Sequence, residues 1–138
     1  MQVDRRIFVG GLSAALVAPT RTRAESVTDS AGRAVPVPRH VTRVFPAGPP
    51  AAITLYTIAP DLLLGWPRAN RADEREFLDE KVGARPEVGR ITGRGNTANL
   101  EVVLALKPDL ILDIGIVNNT YISLAERVQK QTGIPYAL

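Results

Sequence analysis

Residues 99–113 read N-L-E-V-V-L-A-L-K-P-D-L-I-L-D, and the change of character in the middle of this stretch decides the fold. Leu100, Val103 and Leu104 fall on one face at helical spacing. Asn99 is placed to cap the first turn, and Glu101 lies close to its positive end. Pro108 disfavours a helical conformation at Lys107 and so ends the helix. Asp109 then leads into Leu110, Ile111, Leu112, Asp113 and Ile114, a mostly apolar run without polar alternation. Such a run suits a parallel strand covered on both faces.

The flanking sequence repeats the alternation. Upstream, residues 27–38 predict two extended segments around a turn, with Gly32 available for a positive φ. Residues 43–45 predict a first strand of the main sheet. The loop 46–50 leaves it, and Pro49 and Pro50 are tolerated in the first turn of an apolar helix that continues over 51–59. Pro60 and Asp61 stop that helix ahead of a second strand over 62–65, which exits at Trp66. Residues 73–82 predict a surface helix carrying Phe77 and Leu78 inward. Downstream of residue 114 a loop reaches Asn119 or Thr120, either of which can cap the next helix. Tyr121, Leu124, Ala125 and Val128 then recur at i, i+3, i+4 and i+7. Gly133 is a helix C-terminal signal, and 134–138 begins another strand. Helices alternating with apolar strands predict an α/β lobe with a mainly parallel sheet flanked by helices, preceded by a small β-hairpin.

The unit formed by Asn99, Glu101, Val102, Leu106, Pro108, Asp109, Leu110, Ile111 and Leu112 resembles the N-E-x-(I/V)-x-x-L-x-P-D-L-(I/V)-(I/L) pattern of periplasmic binding proteins for iron-siderophore, haem and vitamin B12 complexes. These proteins are the substrate-receiving components of ABC importers. Asp29, Gly32, Arg33, Val35, Val37, Pro38, Arg43 and Val44 are similar to the way mature members of that family open. The resemblance extends over most of residues 25–138 and implies the N-terminal, Rossmann-like lobe of a two-lobed fold, with the second lobe absent from this sequence. It further implies periplasmic capture of a metal chelate and its delivery to an ABC transporter permease. Glu101 then matches a surface glutamate that docks into an arginine pocket of that permease.

Charge and composition narrow the function classes. The formal charge is +3, but Arg5, Arg6, Arg21 and Arg23 stand against Asp4 alone in the first 24 residues, and the other 114 hold thirteen basic and thirteen acidic residues. The bulk of the chain is therefore neutral, which removes the electrostatic basis for nucleic-acid binding. With no cysteine and the lone His40, no disulfide framework or Cys/His metal site can be built. No resident cofactor is expected, and a metal would arrive only inside a bound chelate. Asp4-Arg5-Arg6-Ile7-Phe8-Val9 resembles a twin-arginine export motif, followed by a weakly apolar stretch and a Thr22-Arg23-Ala24 cleavage site. Residues 1–24 thus read as a signal peptide with the twin-arginine translocase as its partner, or as an ordinary basic secretory signal.

In an open parallel sheet, ligands bind beyond the carboxyl ends of the strands. On the corresponding loops Trp66 offers a flat apolar surface, and Arg68 and Arg94 offer forked donors. Asn118, Asn119 and Tyr121 offer neutral hydrogen bonds. Each also has a plain structural use, in packing, solubility or helix capping. A second reading is an exported dinucleotide-dependent oxidoreductase, because Gly93-x-Gly95-x-x-Ala98, a helix and then Asp113 have the spacing of a dinucleotide fingerprint. Against it, 88–92 makes a poor buried strand and no set of catalytic acid, base and nucleophile is visible. Export through the twin-arginine route predicts that replacing both Arg5 and Arg6 by lysine stops accumulation of the protein outside the cytoplasm. Fractionation of expressing cells checks this, and undiminished export would assign the general secretory route.

Overall fold

The computed structural model describes residues 24–93 and 99–138. The twin-arginine motif, Arg94 and the Gly95-x-x-Ala98 part of the glycine pattern lie outside the described residues. The chain opens with an antiparallel hairpin of β1 (Ala24–Thr28) and β2 (Ala34–Pro38), turned at Gly32 with φ +75°. β3 (Val44–Pro46) follows, then α1 (Pro49–Ile58). The short helices α2 (Ala72–Arg75) and α3 (Glu80–Gly83) precede α4 (Leu100–Leu106) and β4 (Leu110–Leu112). α5 (Asn119–Thr132) and β5 (Tyr136–Ala137) complete the described chain. The main sheet has the order β3-β4-β5 and is parallel throughout. The α/β architecture expected from the alternating pattern is the one observed.

Alternation along the strands sends side chains to both faces of this sheet. Phe45, Ile111 and Tyr136 pack with Val103 of α4 and with Ala125 and Val128 of α5. Val44, Leu110 and Leu112 face Ala52 and Leu55 of α1, together with Leu63 and Trp66. The apolar run over 110–112 is thus covered on two sides, which is why it lacks polar alternation.

The helix-to-strand unit over 99–113 is fixed at both ends. Asn99 Oδ1 accepts from the Glu101 N–H at 3.0 Å, and Lys107 ends the helix in a left-handed conformation, φ +48°. Asp109 Oδ2 accepts from the Thr42 N–H at 2.8 Å, the Thr42 hydroxyl at 3.0 Å and the Arg43 N–H at 3.0 Å. The Asp109 N–H donates to Arg43 O at 2.8 Å, and the Arg43 guanidinium donates to Leu106 O at 2.7 Å. The start of β3 and the start of β4 are thereby tied together. Val103 is buried and Leu100 half-buried, as the helical spacing predicts, but Leu104 is 44% exposed and Leu106 packs on the core instead.

Several expected elements are shorter or broken. The second strand expected over 62–65 is reduced to one bridge, Leu63 to Val44, with the Leu64 N–H on Val44 O at 3.0 Å. Pro60 turns the chain into a single 3-10 turn through Leu62, and the Arg85 guanidinium takes the carbonyls of Pro60 and Leu63. The single helix expected over 73–82 is two separate turns. Asp79 restarts the second by accepting from the Val82 N–H at 3.0 Å, while its own N–H donates to the Tyr56 hydroxyl at 2.9 Å. The break leaves Phe77 85% exposed rather than turned inward, and Leu78 half-buried against Gly83. α5 is capped by Asn118, one residue before the expected cap, because the extended backbone at Asn118 aims its Oδ1 at two N–H groups.

The outer edge of β5 is closed by side chains and by the hairpin turn. The Tyr136 N–H donates to Gln129 Oε1 at 3.0 Å, and Tyr136 O accepts from the Arg33 guanidinium at 2.7 Å. The Leu138 N–H donates to Asp29 Oδ2 at 3.3 Å, and Leu138 O accepts from the Ser30 N–H at 2.9 Å. Asp29 also binds Arg33 through its N–H at 2.9 Å and its guanidinium at 2.6 Å. Burial pushes the Asp29 carboxyl up, but the hydrogen bonds from Arg33 and Leu138 outweigh it and hold it below its ordinary value of 3.8. Asp109 is balanced in the same way, burial being outweighed by the donors of Thr42 and Arg43. Both carboxyls bind protons less readily in the folded chain than in the unfolded one. Their stabilisation is therefore complete above about pH 5 and is lost as pH falls through 3.8 and below. Asp29→Ala, which leaves Arg33 without its counter-ion, should cost about 3 kcal/mol in urea denaturation at neutral pH. Wild type and variant should converge as the pH is lowered.

Candidate functional site

The carboxyl ends of the three strands, the start of α1 and the start of α5 meet on one side of the lobe. Ala47 follows β3, its N–H on Leu112 O at 2.8 Å and its carbonyl accepting from both the Ile91 N–H at 2.8 Å and the Thr92 N–H at 2.9 Å. This double contact holds residues 91–93 against the strand ends. Gly48 admits the close approach, since a Cβ there would stand 2.8 Å from Thr92 Oγ1. Gly93 leaves the contact at φ +92°, a left-handed conformation suited to glycine.

A recess of about 150 Å³ opens here between Pro49, Thr92, Asp113, Ile114, Val117 and Tyr121. At its wall lies a buried polar cluster. Asp113 is 7% exposed, and its N–H continues the ladder to Ala137 O at 2.9 Å. Its Oδ1 accepts from the Thr92 hydroxyl at 3.1 Å and its Oδ2 from the Tyr136 hydroxyl at 3.1 Å. Burial, and then the Asp113 charge and hydrogen bond, push the Tyr136 phenol far above its ordinary value of 10.0. It therefore stays protonated and donates to Asp113 at any physiological pH.

A second recess, of about 210 Å³, lies across Pro49 and is bounded by Ile53, Trp66, Arg68, Glu74 and Leu78. Trp66 presents only 7% of its surface, with its ring 5.8 Å from that of Tyr56 and its indole N–H on Val82 O at 2.9 Å. The Arg68 guanidinium forks onto Glu74 at 2.8 and 2.5 Å. That fork, ahead of the Arg71 N–H, holds the half-buried Glu74 carboxyl down at about 2. Gly65 lets this segment lie flat, because a Cβ would stand 2.4 Å from Pro86 O. The Trp66 N–H and carbonyl accordingly pair with Pro86 O at 2.9 Å and the Val88 N–H at 2.8 Å.

The structure therefore divides the residues singled out from sequence. Trp66 and Arg68 line the second recess and Tyr121 the first. Asn118 is engaged as the α5 cap, and Asn119 is exposed in the first turn of that helix. Glu101 is exposed on α4, at 3.5 Å from Asn99 Nδ2. The sequence offers Asp113 only as the acid of a dinucleotide fingerprint, and its cluster with Thr92 and Tyr136 is a feature that the sequence does not announce. Its one sequence signal is an acidic residue ending an otherwise apolar strand. Among the described residues, no three His, Cys, Asp or Glu side chains gather where they could hold a metal ion. The dinucleotide reading gains no support, since residues 88–92 form no strand, the helix starts at Leu100, and Asp113 is occupied by two hydroxyls.

Comparison with solved structures bears on this geometry. An ABC transporter solute-binding protein from Sulfurospirillum deleyianum DSM 6946 superposes at TM-score 0.63 with 25% identity, over 84% of this chain and 36% of its own. This chain is similar to two further solute-binding proteins. A periplasmic solute-binding protein from Veillonella parvula DSM 2008 matches at TM-score 0.57 with 17% identity, over 82% of this chain and 34% of its own. The molybdate periplasmic binding protein MolA of Haemophilus influenzae matches at 0.53 with 20% identity, over 82% and 33%. These last two show the fold alone. The chain spans about a third of the length of each of these structures. No family model matches the sequence, and no curated protein does either.

Removing one donor tests the polar cluster directly. Tyr136→Phe keeps the ring in the core but leaves Asp113 Oδ2 without its hydroxyl. It should destabilise the chain by about 1 to 3 kcal/mol in urea denaturation.

Proposed function

We propose that this chain forms one lobe of the substrate-binding component of an ABC importer, and that it captures a metal chelate of the ferric-siderophore, haem or cobalamin type in the periplasm for delivery to a membrane permease. The observation that carries the reading is the match to an ABC transporter solute-binding protein over 84% of the chain. The two recesses at the carboxyl ends of the strands support it, because that is where an open α/β sheet receives ligands. Trp66, Arg68 and Tyr121 border those recesses and are the side chains through which a chelate edge would be held, with Asn118 and Asn119 at the start of α5. Arg94, which follows Gly93 in the sequence, is proposed for the same role. Export through the twin-arginine translocase, by way of Arg5 and Arg6, would deliver the protein to the periplasm. The metal belongs to the cargo in this reading.

Glu101 is proposed as the permease-docking group. Its carboxylate stands in the first turn of α4, exposed, while Val103 takes the buried face. Its removal should shift the thermal midpoint little. At an interface with arginine the same carboxylate would be desolvated, and loss of one partner there costs about 2 to 5 kcal/mol. Glu101→Ala should therefore leave folding and chelate affinity unchanged while weakening association with the permease and slowing uptake. Unimpaired uptake, or lost stability in its place, would return Glu101 to a helix-start role.

A further inference from the structure

We propose that the second recess takes an aromatic carboxylate arm of the ligand, and that Glu74 holds the place of that carboxylate on the Arg68 fork until the ligand exchanges with it. The proposal rests on the substrate-binding reading above and specifies the group that the ligand presents to this recess.

The chain displays the recognition itself. Arg68 Nη1 and Nη2 donate to the two Glu74 carboxylate oxygens at 2.8 and 2.5 Å, the two-point geometry in which a guanidinium holds a carboxylate. Both partners line the recess, so a carboxylate entering it meets this fork. The pair is open to exchange, because the Arg68 side chain is 58% exposed and that of Glu74 27%. An ion pair in contact with water contributes little net stability, since water and other ions can take the place of either partner.

Glu74 has a second set of donors to fall back on. Its Oε2 accepts from the Arg71 N–H at 3.0 Å, and its Oε1 lies 3.3 Å from the Arg71 guanidinium. Once Arg68 turns to a ligand, the Glu74 carboxylate stays bound to Arg71, and the exchange strands no charge. With its carboxyl held down at about 2, Glu74 is ionised at neutral pH and occupies the fork as an anion.

The body of the arm is set by the rest of the lining, which includes Ile53, Trp66, Pro67 and Leu78. The Trp66 indole N–H is spent on Val82 O at 2.9 Å, so Trp66 offers a ligand ring surface rather than a donor. An apolar cavity of about 150 Å³ is enough to bind benzene. The recess, at about 210 Å³, therefore has room for one aromatic ring and its carboxylate. It falls short of the roughly 300 Å³ at which pockets begin to enclose a whole drug-sized ligand, so it receives an arm and not an entire chelate.

The test is NMR titration of the 138-residue chain with benzoate and with benzamide, its uncharged counterpart of similar shape. Equilibrium dialysis against a ferric trihydroxamate, a ferric tricatecholate, haem and cobalamin runs beside it. Benzoate should shift the Trp66 indole N–H, the Arg68 Nε–H and the Glu74 carboxyl carbon together, and bind about fivefold or more tightly than benzamide. Glu74→Gln, which keeps the size and removes the competing charge, should bind benzoate about threefold or more tightly than the unaltered chain. Benzamide binding as tightly as benzoate, or benzoate binding without moving the Glu74 carboxyl carbon, overturns the exchange. Unimproved benzoate binding by folded Glu74→Gln does the same. If that variant does not fold, the Glu74 carbon and the order of the two probes on the unaltered chain decide alone. Binding of a chelate without binding of benzoate overturns the carboxylate arm and leaves the substrate-binding reading standing. Benzoate bound as expected with no chelate bound supports the exchange and removes the metal chelate as cargo. Failure of every probe to bind overturns both.

Discussion

A single carboxylate oxygen sets the geometry of the sheet. Asp109 Oδ2 gathers the N–H and hydroxyl of Thr42 and the N–H of Arg43, and the Asp109 N–H returns a bond to Arg43 O. Two strands distant in sequence are thereby held at a common starting line, which fixes their parallel register of Val44 on Leu110 and Phe45 on Ile111. Pro108 and the left-handed Lys107 present Asp109 at that point, because together they end α4 within one turn of the strand. Without this register the apolar alternation of β3 and β4 would no longer divide between the two helical layers, since a slip of one residue exchanges the faces.

What is fixed at the amino ends of the strands is used at their carboxyl ends. The same register that aligns Val44 with Leu110 brings Ala47 beside Leu112, and the pairing of β4 with β5 brings Asp113 beside Ala137. Residues 91–93 then dock on the Ala47 carbonyl, and Thr92 reaches Asp113. The recess is thus an outcome of strand alignment and of one loop anchored by backbone bonds. Its polar cluster draws on three separate segments, none of which could form it alone.

The parts of this structure legible in the sequence are those governed by local rules. The cap at Asn99, the stop at Pro108, the buried run over 110–112, the parallel order and the hairpin at Gly32 each follow from neighbours within a few residues. Leu104 was assigned to the core by helical spacing, but α4 is only seven residues long and the turn at Lys107 brings Leu106 to the core in its place. Phe77 failed for a related reason, since Asp79 restarts the helix and breaks the continuous face that would have carried Phe77 inward. Trp66 borders the second recess, where the sequence places it at a strand exit, but how it is held there was not legible. Its packing depends on the carbonyl of Val82, sixteen residues on, which no local pattern announces. The partners of Asp113 are likewise 21 and 23 residues distant, and they meet only when the sheet has formed.

The closure of β5 by the hairpin turn has a bearing on how the protein behaves in a crowd of its own copies. A bare strand edge is a template on which another chain can extend the sheet, the first step of runaway self-association. Here the outward N–H and C=O groups of Tyr136 and Leu138 are all occupied by Gln129, Arg33, Asp29 and Ser30. The occupants are polar and partly charged, and they belong to the same chain, so an incoming strand would have to displace an ion pair before making its first bond. The amino-terminal hairpin, peripheral to the core, thus occupies the edge on which another strand would pair.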